Sequence, residues 1–400
     1  IRLYYGFQFF FPLLLWLPIF YEYQKRMGLS DQQIFGIQSF YYIIFCLLEI
    51  PTGMFADRWG YRQSLRLGAA TIFIGNLLPI FSTGYQGFLA HFFLVALSRS
   101  LISGASNAYM YEFLKRNRCV GKYKLVEGNA RAYGLVGKVV CWAAVGALME
   151  WHVTLPYWLS AFCSMASFIY AEKLPDQANA PQALIPLTEK KAAGFWSGKL
   201  LPIISLMRSS PFLLLIMLQG VGIFVLARLC QVNLYQPILQ EKTFSLVSYG
   251  WLMSAMTLFE AWGSARPDWL RKTISDVSAV FVLTVVVALS LSLIAISGKE
   301  GTMAGLFLFA YATGLAYPIQ RQVLNDAITD SRFRATLLSV ESIIDRTICA
   351  IIVPFIAGFV AEGKTSLFLH ISAGATVVFV AILVIWNSFR SGPSCSATDV

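Results

Sequence analysis

The strongest constraint on the fold of this chain is a series of apolar runs, each about 20 residues long, that recurs along its whole length. A run of that length crosses roughly 30 Å of hydrocarbon when it is helical. Hydrophobic residues occupy 57% of the 400 positions and charged residues only 13%, and this balance excludes an ordinary soluble globular protein. Twelve such runs occur. We therefore predict an all-α membrane protein with twelve transmembrane helices.

The runs fall into two sets of six, separated by one long polar connection. The first run, residues 3–21, is too long and too aromatic for a signal peptide and lacks a small-residue cleavage site, so we interpret it as a spanning helix. The long connection contains three prolines and then a stretch whose pattern fits an amphipathic interfacial helix. The predicted organisation is a six-helix bundle at 1–172, a cytoplasmic linker at 173–211, a second six-helix bundle at 212–386 and a cytoplasmic tail at 387–400.

The net charge of +10 is distributed unevenly between the two sides of the predicted membrane protein. If the even-numbered connections and both termini are cytoplasmic, most of the 31 Lys and Arg lie on that side. The opposite side holds Lys25, Arg26, Lys242, Lys299 and Lys364. This asymmetry is the positive-inside bias, so we predict a multi-pass protein of the cell membrane with both termini cytoplasmic. The basic charge then indicates no nucleic-acid partner.

Residue types that bind metals, form disulfides or hold nucleotides show no informative spacing. The three histidines are far apart in sequence, which argues against a metal site. Five of the seven cysteines lie inside apolar runs, so no disulfide framework is predicted. Residues 358–365 match the P-loop pattern, but they end a predicted transmembrane helix with no strand before it, and we interpret the match as chance. We predict no enzyme activity, no metal and no cofactor.

A short charged segment between the second and third apolar runs resembles a known family signature. Residues 53–65 read GMFADRWGYRQSL, and the spacing of their glycines, acid and bases resembles the loop motif of the major facilitator superfamily of secondary transporters. Phe55 and Tyr61 depart from that motif, Tyr61 because it occupies the first of two basic positions. The resemblance implies the major facilitator fold, in which two six-helix bundles hold a substrate site between them near mid-membrane.

The same resemblance implies that this segment is a conformational latch on the cytoplasmic side. Opposite charges at fixed offsets suit a contact that forms in one conformation and breaks in another. We expect Asp57 to lie against the N-terminus of helix eleven, at residues 334–339, where the helix dipole favours an acid. A degenerate copy of the motif occurs at residues 263–272, and the stretch 48–53 resembles drug-efflux branches of the superfamily. The predicted latch residues are Gly53, Asp57, Arg58, Gly60 and Arg62.

Several ionisable residues lie at mid-depth in predicted helices, where each costs about 2.5–3.5 kcal/mol on insertion scales and is usually functional. Arg99 resembles a buried arginine that the family ties to proton coupling, although a structural arginine satisfied by carbonyl groups or by Glu49 is the alternative. Lys138 lies roughly 13 Å inside helix five, too deep to reach the surface comfortably. The predicted residues for substrate or proton coupling are Arg99, Lys138, Arg228, Glu260, Glu341, Asp345 and Arg346.

Within this set, Glu341 and Asp345 are four residues apart and share a helix face, so one of them could carry a proton. An internal Asp-Arg network without a transport role is the alternative for residues 341–346. Arg228 and Glu260 are a second predicted pair. Aromatic residues make up 15% of the chain, and most are expected to be packing residues. Five have depths that suit the cavity: Tyr42, Trp142, Trp251, Tyr311 and Tyr317.

These features predict a proton-coupled secondary transporter that moves a small organic solute across the lipid bilayer by alternating access. The first half offers Arg99 and Lys138 and no acid on helix one, which favours an anionic or zwitterionic substrate such as a metabolite, a siderophore or an amphipathic drug. The resemblance to efflux branches favours export by antiport. However, the family's Gly-Pro exporter pattern is missing from helix five. An importer, a lysolipid flippase and a non-transporting membrane receptor are the alternatives.

Overall fold

A computed structural model describes residues 1–176, 210–328 and 334–390. Most of the predicted linker, including its amphipathic stretch, and the tail beyond residue 390 lie outside the described residues. Within these ranges the chain forms helices and no strands, as the prediction of an all-α membrane protein requires. The first range contains nine α-helices, in chain order α1 Arg2–Phe10, α2 Phe20–Arg26, α3 Asp31–Trp59, α4 Tyr61–Phe81, α5 Tyr85–Ser103, α6 Ala105–Arg116, α7 Tyr123–Ala143, α8 Val145–Trp151 and α9 Leu155–Lys173. The second range begins with α10 Pro211–Arg228.

The remaining helices follow the same numbering. They are α11 Tyr235–Glu241, α12 Leu246–Ala265, α13 Asp268–Arg271, α14 Asp276–Ile296, α15 Lys299–Ala327, α16 Arg334–Ala361 and α17 Thr365–Arg390. A π-helical segment, Leu229–Leu234, joins α10 to α11. Its cause is Pro237, whose missing N–H cannot continue the regular hydrogen-bond ladder of the helix.

By length and hydropathy, the described part of the chain has 8 helical segments able to cross a membrane, or up to 9 when α7 and α8, bent by 42°, count as one. The prediction of twelve is consistent with this result. The three other predicted spans also occur as helices. Helices α9 and α12 correspond closely to the sixth and eighth predicted spans, and the first predicted span is divided into α1 and α2.

The prediction of one continuous helix over residues 3–21 is wrong. The structure ends α1 at Phe10, forms a short 3-10 turn at Leu17–Ile19 and begins α2 at Phe20. Pro12 and Pro18 explain the interruption, because proline removes a backbone donor and clashes with the preceding helical turn.

The charged segment at residues 53–65 contains almost no loop. Helix α3 begins at a capping box formed by Ser30 and Gln33 and continues for 29 residues to Trp59. Gly60 alone separates α3 from α4, with φ 96° and ψ 147°, a conformation that only glycine adopts readily. The expected loop is therefore a one-residue break between two helices, which fixes the charges of the motif to helix ends.

The chain divides into two compact units. The first consists of Ile1–Gln182, Arg228–Leu258 and Arg346–Thr365. Buried aromatic residues fill its core, and they include a hydrogen-bonded chain in which Trp16 Nε1 donates to Asn76 Oδ1 over 2.8 Å and the Asn76 amide donates to Ser164 Oγ over 2.8 Å. This buried chain fixes the 3-10 turn region against α4 and α9.

The second unit consists of Ala183–Ala227, Phe259–Asp345 and Ser366–Val400. Helices α14 and α15 pack closely in it because Gly305 leaves room for Ile294. The Gln219 amide of α10 donates to Thr284 Oγ1 of α14 over 2.8 Å, and this hydrogen bond connects the two helices. These contacts hold α10, α14 and α15 together around the residues of the candidate site in this unit.

Candidate functional site

An ion pair inside the second unit joins Arg321 of α15 to Glu341 of α16. The guanidinium donates directly to Glu341 Oε2. The Glu341 side chain is 1% exposed and that of Arg321 is 29% exposed. Arg321 also lies over the rings of Phe224 and Tyr317, at 5.0 and 5.5 Å from their centroids. The carboxylate is thus occluded, while its counter-charge reaches towards solvent between two aromatic rings.

The neighbourhood of this ion pair requires a glycine. A Cβ at Gly220 would lie 2.3 Å from Gln320 Nε2 and 2.8 Å from Glu341 Oε1. The Gln320 amide meanwhile donates to the Ile216 carbonyl over 2.7 Å. Among the described residues, neither Glu341 Oε1 nor Gln320 Oε1 has a hydrogen-bond partner. The buried acceptor atoms Glu341 Oε1 and Gln320 Oε1 therefore lie beside Gly220 of α10, which has no side chain.

A second charged cluster lies in the first unit, between α3 and α16. Arg346 Nη1 is 3.5 Å from Glu49 Oε2, and the guanidinium carbon lies 3.9 Å from the centroid of Phe45. Phe45 and Glu49 are one helical turn apart on α3, so one face of that helix presents both a ring and a carboxylate to Arg346. Glu49 was predicted only as an alternative partner of Arg99.

Sequence reasoning identified Glu341 and Arg346 but missed both partners. Arg321 is not among the predicted site residues, and it lies about two turns before the end of α15 at Ala327. Glu49 lies four residues before Gly53, within the stretch 48–53 that resembles efflux branches. In each case the available signal was an ionisable residue near the end of an apolar run, which gives no information about its partner.

The structure places the other predicted coupling residues on several different helices. Asp345 is buried on α16, and Glu260 is exposed on α12. Arg228 is the last residue of α10; its predicted pairing with Glu260 stays a prediction. Lys138 Nζ lies 5.5 Å from the ring centroid of Trp142. Helix α7 begins at Tyr123, earlier than predicted, so Lys138 is deeper along its helix than the sequence suggested.

Arg99 is not buried, contrary to what the resemblance implies. Its side chain is exposed on α5, because the flanking positions Ser98 and Ser100 face the interior. Ser98 Oγ donates to the Gly68 carbonyl over 2.6 Å, and Ser100 Oγ lies 2.8 Å from Thr52 Oγ1.

The predicted latch residues lie at the end of α3 and the start of α4. Asp57 and Arg58 are exposed, and Arg58 lies 5.3 Å from the centroid of Trp59. The Tyr61 hydroxyl donates to Asp57 Oδ1 over 3.4 Å. This uncommon tyrosine therefore supplies a hydrogen bond where the family motif has a base.

Arg62 pairs elsewhere. Its Nη1 lies 3.3 Å from Asp176 Oδ2, and its Nη2 donates to the Glu172 carbonyl. The neighbouring Arg66 donates to the Glu172 carboxylate. These contacts connect the start of α4 to the end of α9. Gly53 is exposed on α3 with open space around its Cα. The side chains of residues 334–336 lie outside the described residues, so the expected contact of Asp57 stays a prediction.

The motif's copy in the second half has a different arrangement. Arg271 forms two hydrogen bonds with Asp276, each 2.8 Å long, and this hydrogen bonding raises the pKa of Arg271. Asp268 lies 3.6 Å from Arg271. Gly263 allows close approach to α15, since a Cβ there would be 2.5 Å from the Tyr311 carbonyl oxygen.

The five predicted cavity aromatics have different surroundings. Tyr42 and Trp142 are buried. Tyr42 accepts a hydrogen bond from Asn233 Nδ2 over 3.0 Å, and Asn233 lies on the π-helical segment. Trp251 is 40% exposed and Tyr317 45% exposed, whereas Tyr311 packs on a tryptophan ring of α12. Trp251 and Tyr317 are thus each exposed within their own unit, and Tyr42 is held by the π-helical segment.

A hydrogen-bonded connection joins the broken first helix to α11. Gln236 Oε1 accepts from the backbone N–H groups of Tyr21 and Glu22, over 2.9 and 3.2 Å, and Gln236 Nε2 donates to the Leu17 carbonyl over 3.1 Å. Ile19 caps α2 and has no polar side chain. Gln236, 1% exposed, therefore supplies the N-cap of α2 from a distant part of the chain.

Close helix packing occurs beside this connection, at the bend between α7 and α8. A Cβ at Gly250 would lie 2.1 Å from the Trp142 carbonyl oxygen, and one at Gly146 would lie 2.1 Å from the Leu246 carbonyl oxygen. Reciprocal glycines thus let α12 contact the backbone of α7 and α8. These contacts connect residues from both predicted six-helix sets on the predicted external side of the first unit.

The predicted first six-helix bundle, residues 1–172, contains a polar cluster that the sequence did not predict. Gln8 Nε2 donates to Tyr4 OH over 2.8 Å and to Ser106 Oγ over 2.6 Å, and Tyr4 OH donates to Glu127 Oε2 over 3.2 Å. Arg131 lies 3.5 Å from Glu127. Helix one carries no acid, as the sequence states, but Glu127 and Glu49 give this region two carboxylates. The first half therefore contains carboxylates as well as the cations Arg99 and Lys138.

Other sequence features have structural explanations. His91 is fully buried, with Nδ1 2.7 Å from the Gly75 carbonyl oxygen. In the described part of the chain, no cluster of His, Cys, Asp or Glu could hold a metal ion. The P-loop match lies at the turn between α16 and α17, where Gly363 has a φ of 67°.

Long apolar helices with charged pairs inside them define a polytopic α-helical membrane protein, and its backbone resembles solved transporters. The nucleoside transporter NupG has a TM-score of 0.74 at 15% identity, covering 96% of this chain and 99% of that one. A D-xylose-proton symporter has a TM-score of 0.71 at 13% identity, covering 95% of each chain. A POT family transporter in complex with 5-aminolevulinic acid has a TM-score of 0.69 at 13% identity, covering 98% and 96%. At such identities the likeness shows the fold alone.

The family is shown by the sequence itself. The profile of the Major Facilitator Superfamily matches residues 3–340, which is most of the chain, and the chain therefore belongs to this superfamily. No curated protein matches the sequence at a significant level. The protein is accordingly a multi-pass membrane transporter and not an enzyme.

Proposed function

We propose that this protein is a proton-coupled secondary transporter of a small organic anion or zwitterion in the cell membrane. It works by alternating access between two six-helix bundles, 1–172 and 212–386, with both termini in the cytoplasm. The observation that carries the proposal is the ion pair of Arg321 with Glu341, whose carboxylate is 1% exposed. Ionisable groups at such positions in a membrane protein usually mark ion or proton pathways.

The chemistry of the pair supports a proton-binding role. An ionised Glu341 is held by charge-assisted hydrogen bonding to Arg321. Protonation of Glu341 removes that attraction and leaves the guanidinium with a neutral partner. The net charge enclosed by α10, α15 and α16 differs between the ionised and the protonated state of Glu341. This difference shifts the equilibrium between the conformations in which these helices can pack. Proton binding at Glu341 thereby drives the conformational change.

The substrate class follows from the cations. Arg99, Lys138, Arg321 and Arg346 are cations on apolar helices, and such residues favour a solute with at least one negative group. Exposed aromatic edges at Trp251 and Tyr317 favour an organic body. Asp57, Arg58 and Arg62, with Gly53 and Gly60, act as the cytoplasmic latch.

The proposed direction is outward, by exchange for protons, as the resemblance of residues 48–53 to efflux branches suggests. Import with protons is the second candidate, because one solved structure of similar fold is a D-xylose-proton symporter. The two differ in the sign of the coupling. An exporter moves solute against the entering proton, whereas a symporter moves both in one direction.

Purified protein in liposomes with an imposed pH gradient tests the proposal. A panel of radiolabelled monocarboxylates and amino acids is offered on either side, while a trapped pH dye follows proton movement. We expect gradient-dependent flux of at least one solute, lost in Glu341→Gln. Glu362→Gln removes an exposed carboxylate just after the same helix, and its flux should equal that of the wild type. Normal proton-driven flux in Glu341→Gln contradicts the assigned role.

A further inference from the structure

The cluster of Phe45, Glu49 and Arg346 lies deep in the membrane-spanning part of the first unit. Glu49 precedes the end of α3 at Trp59 by about 15 Å, and Arg346 follows the start of α16 at Arg334 by about 18 Å, at 1.5 Å per residue. Both charges are therefore near the middle of their helices. Charges at this depth are costly unless they face each other, protein or water.

This ion pair is looser and more accessible than the one at Glu341. The Arg346 and Glu49 side chains are 17% and 23% exposed, compared with 1% for Glu341. Their 3.5 Å separation exceeds the roughly 2.7–2.9 Å of a strong charge-assisted hydrogen bond. Glu49 Oε2 receives no hydrogen bond from the described residues. The carboxylate thus neutralises Arg346 without binding it tightly.

Phe45 fixes the position of the guanidinium. The Arg346 guanidinium carbon lies 3.9 Å from the ring centroid, and Phe45 is itself 3% exposed. A guanidinium carries five N–H donors in a planar fork, and that fork matches the two oxygens of a carboxylate. The Glu49 carboxylate, 3.5 Å from Arg346 Nη1, is a loosely held partner that another carboxylate can replace.

We propose that Arg346 binds the carboxylate of the transported solute and that this carboxylate displaces Glu49. The ring of Phe45 holds the guanidinium in place beneath the bound carboxylate. The inference rests on the proposed function, since it names the substrate's anchoring group. It assigns the site to α3 and α16 of the first unit, separate from the proton-binding role given to Glu341.

Equilibrium binding of benzoate, with benzyl alcohol as its neutral counterpart, tests the inference without any pH gradient. The full chain is placed in phosphatidylcholine nanodiscs, which contain no anionic lipid, and the unfolding midpoint is measured as a function of ligand concentration. We expect saturable stabilisation by benzoate and none by benzyl alcohol. Glu49→Gln removes the competing carboxylate, and benzoate should then half-saturate at about tenfold lower concentration.

Arg346→Gln should abolish the benzoate response. Because this variant leaves Glu49 without its counter-charge and can fold poorly, the double variant Glu49→Gln with Arg346→Gln removes both charges and must also lose the response. Glu362→Gln is the matched control and should titrate like the wild type. A benzoate response that persists in the double variant overturns the proposal, as does equal stabilisation by benzoate and benzyl alcohol or an unchanged midpoint concentration in Glu49→Gln. Proton-coupled flux that survives these results leaves the role of Glu341 intact, so the two proposals fail separately.

Discussion

The cap that Gln236 provides to α2 gives a prediction whose magnitude can be worked from the structure. In Gln236→Ala, the backbone N–H groups of Tyr21 and Glu22 lose their acceptor, and the Leu17 carbonyl loses its donor. Ile19 cannot substitute, because it has no polar side chain. Loss of an N-cap costs roughly 0.5–2 kcal/mol, and a buried site such as this one is at the upper end of that range.

Hydrogen exchange measured by mass spectrometry reports this loss directly. A local opening free energy lowered by about 2 kcal/mol raises the exchange rate about thirtyfold, and the peptide that contains Tyr21 and Glu22 should show it. Gln240→Ala is the matched control, since Gln240 is the same residue type one turn further along α11 and is exposed. Its exchange should equal that of the wild type.

Two results would refute the reasoning. One is unchanged protection of the α2 peptide in Gln236→Ala, which would mean that the three hydrogen bonds do not hold the helix start. The other is an equal rise in Gln240→Ala, which would assign the effect to α11 in general. Faster exchange confined to Gln236→Ala would identify this side chain as the connection between the two segments.

Three glycine substitutions test close approach and backbone strain. Gly358→Ala of α16 is their common control because its Cα faces open space, and alanine there should raise the free energy of unfolding by about 0.5–1 kcal/mol. Gly60→Ala should lower the free energy of unfolding by about 1–3 kcal/mol, owing to the positive φ, and a normal unfolding midpoint would disprove it. Gly250→Ala should cost about 1–3 kcal/mol in the same assay, because its Cβ would lie 2.1 Å from a carbonyl oxygen of α7. Gly220→Ala should reduce proton-driven flux about 10- to 100-fold by displacing Glu341, and wild-type flux would contradict the close approach seen there.

Much of the architecture could be predicted because the membrane restricts the choices of the chain. In hydrocarbon every backbone polar group must be satisfied internally, so an apolar run of sufficient length has to be a helix. The boundaries of α12, α14 and α17 accordingly agree with the sequence to within a few residues. Prediction failed where backbone hydrogen bonding is interrupted, as at Pro12 and Pro18, which divide the first predicted helix.

The sequence by itself determined the membrane class, the superfamily motif, its glycine at position 60 and the presence of charges at mid-depth. Only the tertiary structure decided which charges meet. Arg321 contacts Glu341 across 20 positions of sequence, and Arg346 contacts Glu49 across nearly 300. Hydrophobic periodicity places a residue on a helix and at a depth, but it carries no information about the rotation of that helix against a neighbour. Packing of α3 against α16 and of α15 against α16 fixes those rotations, and with them the charge pairs on which the proposed mechanism depends.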